Sequence, residues 1–319
     1  MKYSVAVDLG GTKICAALVD TSYRILAKKV VPTGAQRSSE EILADIAAVA
    51  LAVAKENGAQ KEEITKLGIV VPGAVLPESG TLAYSCNLPF RNFPITRELS
   101  RLTGIETVRL ANDANAAALG ESVMGAAKGS RSSVMVTLGT GVGGGYILDG
   151  KIQTGINGAA AELGHMVIRA GGELCTCGRR GCFEVYASAT ALKRITCEAI
   201  IRCQTLGIPT LMIDAVGGNA DQSDTRTAFD AAKKGDAEAQ RVLSVFTENL
   251  ACGLTNLINI YQPEVLSIGG GLSGEGDYLL KPLLPIIDRE QYTRSVEPKT
   301  VIRIAQLGND AGLIGAAAL

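Results

Sequence analysis

The chain has 319 residues, 47 % of them hydrophobic, with a net charge of −1, eight cysteines, a single histidine and no tryptophan. That length exceeds the usual single domain and predicts two lobes, each with apolar residues enough for a core. Dispersed basic residues at so low a net charge do not imply a polyanion-binding surface, and the longest apolar stretch, Ile42 to Ala54, contains Asp45 and is too short to span a bilayer, so neither nucleic acid nor a membrane is an expected partner.

A strand pattern begins at once, from Tyr3 to Leu9, with no secretory signal before it, and the free thiols suit a reducing cytoplasm. The strand runs into Gly10, Gly11, Thr12 and Lys13 and then a second β-type run ending at Asp20, which reads as a hairpin with a glycine-rich tip. Asp8, just before the tip, is either a turn residue or a carboxylate that holds Mg²⁺ directly or through water, and the second reading is preferred. Lys13 reads equally as a phosphate contact or a solvated side chain. Helical periodicity covers Glu40 to Asn57, an apolar strand runs from Lys66 to Val71 and ends at Pro72-Gly73, and another strand spans Thr107 to Leu110. Asn112 and Asp113 follow it and precede a helix from Ala114 to Met124. Either residue makes an ordinary N-cap. A carboxylate at the C-terminal end of a strand, beside a glycine-rich phosphate cradle, is also where an α/β enzyme keeps a base for activating a hydroxyl. The helix N-terminus is expected to lower the pKa of Asp113 and leave it a weak base, which phosphoryl transfer tolerates.

Ser133 to Asp149 repeats the first hairpin, with Thr137 at the place of Asp8 and a tip of Gly139, Thr140, Gly141, Val142, Gly143, Gly144 and Gly145. In P-loops and dinucleotide fingerprints the glycines open a helix, whereas here a strand follows. Backbone N–H groups in such tips can approach phosphate oxygens with no Cβ in the way, and two tips together could hold a polyphosphate.

The single histidine, His165, precedes Cys175, Cys177 and Cys182, a complete tetrahedral ligand set for one structural zinc with no position left for water. The alternative is a cysteine-rich loop or a disulfide. Nothing in the chain resembles a secreted disulfide scaffold. Cys15, Cys86, Cys197, Cys203 and Cys252 are scattered through apolar or helical stretches, where free cysteine behaves as a small buried hydrophobe. A zinc there would fix Glu162 and Glu184, which with His165, Asn87 and Asn112 make a polar set suited to sugar hydroxyls. Helices are then expected near Ser188 to Gln204, Thr225 to Lys234 and Ala237 to Ile260. A short strand, Val265 to Ile268, ends in Gly269, Gly270 and Gly271. Asn309-Asp310 looks like the N-cap of a final helix, Ala311 to Ala318, weakened by Gly312 and Gly315. The whole reads as an α/β protein of two related lobes joined near residue 112 and closed by the C-terminal helix.

The segments Asp8 to Lys13, Leu138 to Gly145, Glu162 to His165 and Cys175 to Glu184 together resemble the ROK family (repressors, open reading frames, kinases), in particular its bacterial glucokinase-like members. The likeness runs from about residue 3 to residue 319. It implies a two-lobed, actin-like ATPase fold of the hexokinase and ribonuclease H type, with a zinc-anchored loop, closing on ATP and sugar. The implied lobes are residues 1–112 with 305–319, and residues 113–304. By this resemblance Asp113 is the general base for the sugar's 6-hydroxyl and Asn112 orients the sugar. Glu162, His165 and Glu184 bind ring hydroxyls, His165 using its second nitrogen while ligating zinc, and Gly73 and Asn87 line the sugar pocket. Gly269 to Gly271 match the adenosine-side motif, and the two tips match the phosphate loops. Phe90 stands where many glucokinase-like members carry a tryptophan. Family repressors carry a DNA-binding domain before the first strand, for which this chain leaves no room. The expected activity is a Mg²⁺- and ATP-dependent hexokinase, a glucokinase first, with N-acetylmannosamine, allose and fructose kinases or a sugar-sensing protein as alternatives, assembled as a homodimer or homotetramer.

Overall fold

The computed structural model describes residues 1–85 and 87–319; Cys86, expected to be a buried hydrophobe, lies outside the described residues. The first hairpin forms as its alternation requires. β1 (Tyr3–Leu9) pairs antiparallel with β2 (Lys13–Asp20), Leu9 opposite Ile14, and the Gly10 N–H closes the turn on the Lys13 carbonyl at 2.9 Å. β3 (Ile25–Pro32) extends the meander. Beyond α1 (Ser39–Lys55), started by a Ser38–Glu41 capping box, β4 (Ile64–Val71) returns parallel to β1. β5 (Ala74–Leu76), β6 (Thr81–Tyr84) and β7 (Arg91–Phe93) make a small separate sheet. Next come α2 (Ile95–Thr103), β8 (Val108–Asn112), parallel to β4, and α3 (Asp113–Met124). The first large sheet therefore runs β3-β2-β1-β4-β8.

Side chains on this sheet split by period two. Val5, Val7 and Leu9 join the core that holds Ile42, Ile46 and Val53 of α1. Ala6, Ala17 and Val70 face the other way, onto a cluster that includes Ala116, Leu313 and Ala316. Phe90 is fully buried in the first core and packs edge-on against Phe93 with ring centres 5.2 Å apart. It is a core residue, not a stacking platform.

β9 (Ser132–Leu138), β10 (Val142–Leu148) and β11 (Lys151–Ile152) follow. Then come α4 (Glu184–Ala187), α5 (Ala189–Leu206), α6 (Leu211–Ala215), α7 (Thr225–Lys233) and α8 (Ala237–Tyr261). β12 (Val265–Gly269), α9 (Asp277–Glu290), β13 (Val301–Ile304) and α10 (Ala311–Ala318) complete the chain. The second large sheet runs β11-β10-β9-β12-β13, strand for strand the order of the first. The repeat read in the two hairpins thus extends to whole sheets, as the actin-like fold expects. α8 buries Val242, Phe246, Leu250, Leu254 and Leu257, a helical-period stripe, and packs against α5, α7 and α9. Among the described residues no helix is long and apolar enough to cross a membrane.

The chain forms two compact units. One comprises Met1–Met135, Gly144–Ala161 and Ala305–Leu319; the other comprises Val136–Gly143 and Glu162–Ile304. Residues 113–135 and 144–161 thus group with the N-terminal strands, where a sequence division at residue 112 places them with the large lobe. The reason lies in α3 and α10, which pack intimately. A Cβ on Gly315 would overlap the Ala116 carbonyl, so the glycine that propensity counts against the last helix is what lets the two backbones meet. The expected cap on that helix is absent. Asp310 makes no side-chain bond to the α10 N-terminus but pairs with Lys28, and the helix is entered through a 3₁₀ turn at Gly308–Asp310. Of the scattered cysteines, Cys203 is buried and Cys15 and Cys197 are half-buried; Cys252 departs from expectation, because it sits on the exposed face of α8.

Candidate active site

In the first unit, the tip Gly10–Thr12 is held from behind by Thr33, which is fully buried. Its hydroxyl donates to the Gly10 carbonyl at 2.7 Å and its N–H to the Thr12 carbonyl at 3.0 Å. Sequence reasoning missed this brace, since nothing local ties Thr33 to a turn some twenty residues earlier. Asn87 lies exposed beside Gly11, and Lys13 opens β2 exposed to solvent. Asp8 ends β1 half-buried, and its carboxylate makes no hydrogen bond among the described residues. Burial pushes it up to about 6, Asp113 nearby pushes the same way, and Lys13 opposes them. A desolvated carboxylate without a partner, next to a second carboxylate, is suited to a divalent cation.

Asn112 caps α3, its Oδ1 accepting from the N–H groups of Ala114 at 2.9 Å and Asn115 at 3.2 Å. Its Nδ2 donates to the Gly73 carbonyl at 3.1 Å, so one amide ties the helix start to Gly73 after β4. Asp113 accepts the Ala114 N–H at 2.9 Å. That bond pulls its pKa down, as the position at a helix start predicts, but burial outweighs it and the net shift is upward. The expectation of a weakened base is therefore reversed. Asp113 is exposed at its surface, yet most of the volume around its carboxyl is protein, and that loss of solvation decides the direction. Gly144 and Gly145 are buried within β10, Gly145 backed against Asn115 and Ala118 of α3, so they belong to the strand and not to the turn.

In the second unit, the tip turns at Gly139–Gly141, where the Gly139 N–H reaches the Gly141 carbonyl at 3.0 Å. A threonine braces this tip too: the Thr190 hydroxyl donates to the Thr140 carbonyl at 2.7 Å, and the Ala189 N–H donates to the Gly139 carbonyl at 2.8 Å. The Val142 N–H donates to Glu184 Oε2 at 3.1 Å, and Gly143 continues into β10. Gly269 ends β12 buried, while Gly270 and Gly271 are exposed and Gly270 backs onto Leu138.

The structure brings His165, Cys175, Cys177 and Cys182 together, with one potential ligand atom from each lying within 4.8 Å of the others. Cys177 and Cys182 Sγ are 3.7 Å apart, and His165 Nδ1 is 3.6 Å from Cys175 Sγ. Thiolates on a tetrahedral ion with Zn–S near 2.3 Å stand about 3.8 Å apart, so the donor set fits zinc in spacing as well as in chemistry. Burial beside the other two thiols pushes Cys182 up to about 12, so a cation is what would strip its proton. With Nδ1 on the cluster side, Nε2 is the ring nitrogen left for another partner. Glu162 is exposed one short turn before His165, whose N–H bonds the Glu162 carbonyl at 3.1 Å. Glu184 is half-buried, with its Oε1 3.6 Å from Cys175 Sγ. A groove of about 570 Å³ between α7, α8 and α9, walled by Phe229, Leu243 and Pro282, contains none of these residues.

The model of the ROK family matches residues 4–319. A glucokinase of Thermotoga maritima is 37 % identical over 99 % of this chain and 96 % of its own length. An N-acetylmannosamine kinase of Citrobacter koseri is 30 % identical over 99 % of this chain and 98 % of its own. Among solved structures, a ROK glucokinase from Streptomyces griseus in complex with glucose and AMPPNP superposes with a TM-score of 0.79, at 33 % identity, covering 99 % of this chain and 98 % of that one. The match takes in both glycine-tipped hairpins, the carboxylate after β8 and the thiolate loop, and the chain belongs to the ROK family.

Proposed function

We infer that this protein is an ATP-dependent hexose kinase that phosphorylates the 6-hydroxyl of glucose. The observation that carries the reading is Asp113, a desolvated carboxylate at the C-terminal end of a parallel strand in a chain that matches glucokinases along its length. As the sugar oxygen bonds the γ-phosphorus, Asp113 accepts its proton, and the bond to the β,γ-bridging oxygen breaks to release ADP. Asn112 orients the sugar, and Gly73, Asn87, Glu162, His165 Nε2 and Glu184 bind its hydroxyls. Glucose is preferred over N-acetylmannosamine because the chain is more alike to the glucokinase than to the kinase for that sugar. The tips at Gly10–Lys13 and Gly139–Gly143 hold the phosphates, and Gly269–Gly271 the adenosine side. Mg²⁺ bound with the nucleotide near Asp8 would supply charge neutralisation. Zn²⁺ at His165, Cys175, Cys177 and Cys182 would supply a fixed cross-link, with no open position for chemistry.

The functional lobes are proposed as residues 1–112 with 305–319, and residues 113–304, in a homodimer or homotetramer that sedimentation would reveal. Thiolate ligands suit a reducing cytoplasm. Replacing Asp113 by Asn should lower turnover about 10²- to 10⁴-fold while calorimetry still detects glucose binding. Turnover near the wild-type rate would remove Asp113 from the role of base.

A further inference from the structure

We propose that the metal loop is also the support of the second phosphate tip, so that zinc occupancy sets the affinity for the nucleotide as well as for the sugar. The proposal rests on the kinase reading for the identity of the tip's ligand. Its basis is the nine residues that begin at the last thiolate ligand. Cys182 is buried in the cluster. Phe183 after it is fully buried against Gly253 of α8, which pins the chain at that point. Three bonds to the tip follow in the next seven residues: Glu184 Oε2 from Val142 N–H at 3.1 Å, Ala189 N–H to the Gly139 carbonyl at 2.8 Å, and Thr190 Oγ1 to the Thr140 carbonyl at 2.7 Å. The other oxygen of Glu184 accepts from the free Cys175 thiol at 3.6 Å, which places this carboxylate beside the cluster as well as the tip.

Two glycines make the contact possible. A side chain at Gly141 would collide with the Glu184 carboxylate, and one at Gly164, next to the ligand His165, would overlap the Val142 carbonyl. The tip is therefore packed against both arms of the metal loop, and those arms are themselves joined by the Phe183 N–H bond to the Met166 carbonyl at 2.7 Å. The Gly139 N–H closes the turn on the Gly141 carbonyl, and the Val142 N–H is taken by Glu184. Among the described residues the N–H groups of Thr140 and Gly141 donate to nothing, which leaves them for phosphate oxygens. Cys175, Cys177 and Cys182 are free thiols. A cation would bind these three thiols and His165 to one centre and so anchor Cys182, two residues before Glu184; without it the segment that holds the tip loses that anchor, and the preorganisation of the tip weakens with it. Glu184 is a positioning residue in this role, and its carboxylate keeps lone pairs for a sugar hydroxyl.

The test is the affinity for Mg²⁺ with a non-hydrolysable ATP analogue, measured by calorimetry without sugar on zinc-loaded protein, on protein stripped by a chelator, and on zinc-loaded Thr190→Val. That substitution removes the hydroxyl brace and touches neither the metal nor any residue assigned to the sugar. Stripping should weaken nucleotide binding about tenfold, within the usual range of coupling between sites. Thr190→Val should weaken it too, with zinc content and glucose affinity unchanged. Equal nucleotide affinity in zinc-loaded and correctly folded stripped protein overturns the proposal, whatever Thr190→Val does. If stripped protein has lost its circular dichroism signal, the zinc-loaded Thr190→Val comparison decides alone. No nucleotide binding by zinc-loaded wild type would instead overturn the kinase reading on which the proposal rests.

Discussion

Asp113 is where two local rules meet and one loses. A carboxylate in the first turn of a helix is stabilised by the N–H groups there, and a carboxylate deprived of water is not. The structure settles the sum upward. As a base it must be ionised, so kcat/KM for glucose should fall as pH falls, with the acidic limb above the ordinary value of 3.8. A limb at or below that value would contradict the assignment. The same shift has a sign for stability. Because the native carboxyl holds its proton more tightly than the unfolded chain does, its contribution favours the fold at low pH and is lost as pH rises through the native pKa. Asp113→Asn should accordingly melt no lower than wild type at pH 7.5 by calorimetric scanning; a clear drop would mean that the charge stabilises the fold. At this scale the cluster of His165, Cys175, Cys177 and Cys182 and the tip glycines could be read from residue type and spacing. Thr33 and Thr190 could not, because a hydroxyl that braces a turn distant in sequence leaves no local mark. The echo between the two hairpins was the available signal, since a brace behind one tip invites a search behind the other.

Elements with strong periodicity were legible, and those whose identity depends on packing were not. The two hairpins, α1, α3, α5, α7 and α8 follow directly from alternation, period and caps. β5, β6 and β7 are only three or four residues each, too short for a period. α9 contains Pro282 and Pro285, which in a sequence argue against a helix interior, and it persists because tertiary contacts with α8 and β13 hold it. The last helix is legible as a helix, but its details depend on packing. Its cap residue serves an ion pair with Lys28, and its glycine serves a backbone approach. Gly315→Ala should therefore destabilise the protein by about 1–3 kcal/mol, the cost of overpacking, although alanine is the better helix former. The check is a urea midpoint that falls with an unchanged slope. A gain in stability would mean that α3 and α10 do not meet as closely as described.

At the scale of the molecule, one strand order is used twice, and each copy presents a glycine-tipped hairpin braced by a threonine. The copies then diverge in chemistry. The first carries Asp8 at the strand end and, in the same compact unit, Asp113; the second carries Thr137, whose unit also holds the cluster of His165 and three cysteines. The architecture could be anticipated from sequence because the strand order follows from the repeated pattern. Pattern reports where strands and helices are, whereas the attachment of α3 to the N-terminal sheet depends on a close helix crossing that no pattern encodes. The substrate is the least encoded feature, since kinases for several hexoses would share these tips, this carboxylate and this cysteine loop. The most direct measurement is ADP release from Mg-ATP by zinc-containing protein, with glucose, mannose, fructose, allose, N-acetylglucosamine, N-acetylmannosamine and no sugar in parallel. Turnover should depend on hexose and be fastest with glucose; ADP release with none of the sugars, or at the same rate without sugar, would contradict a hexose kinase.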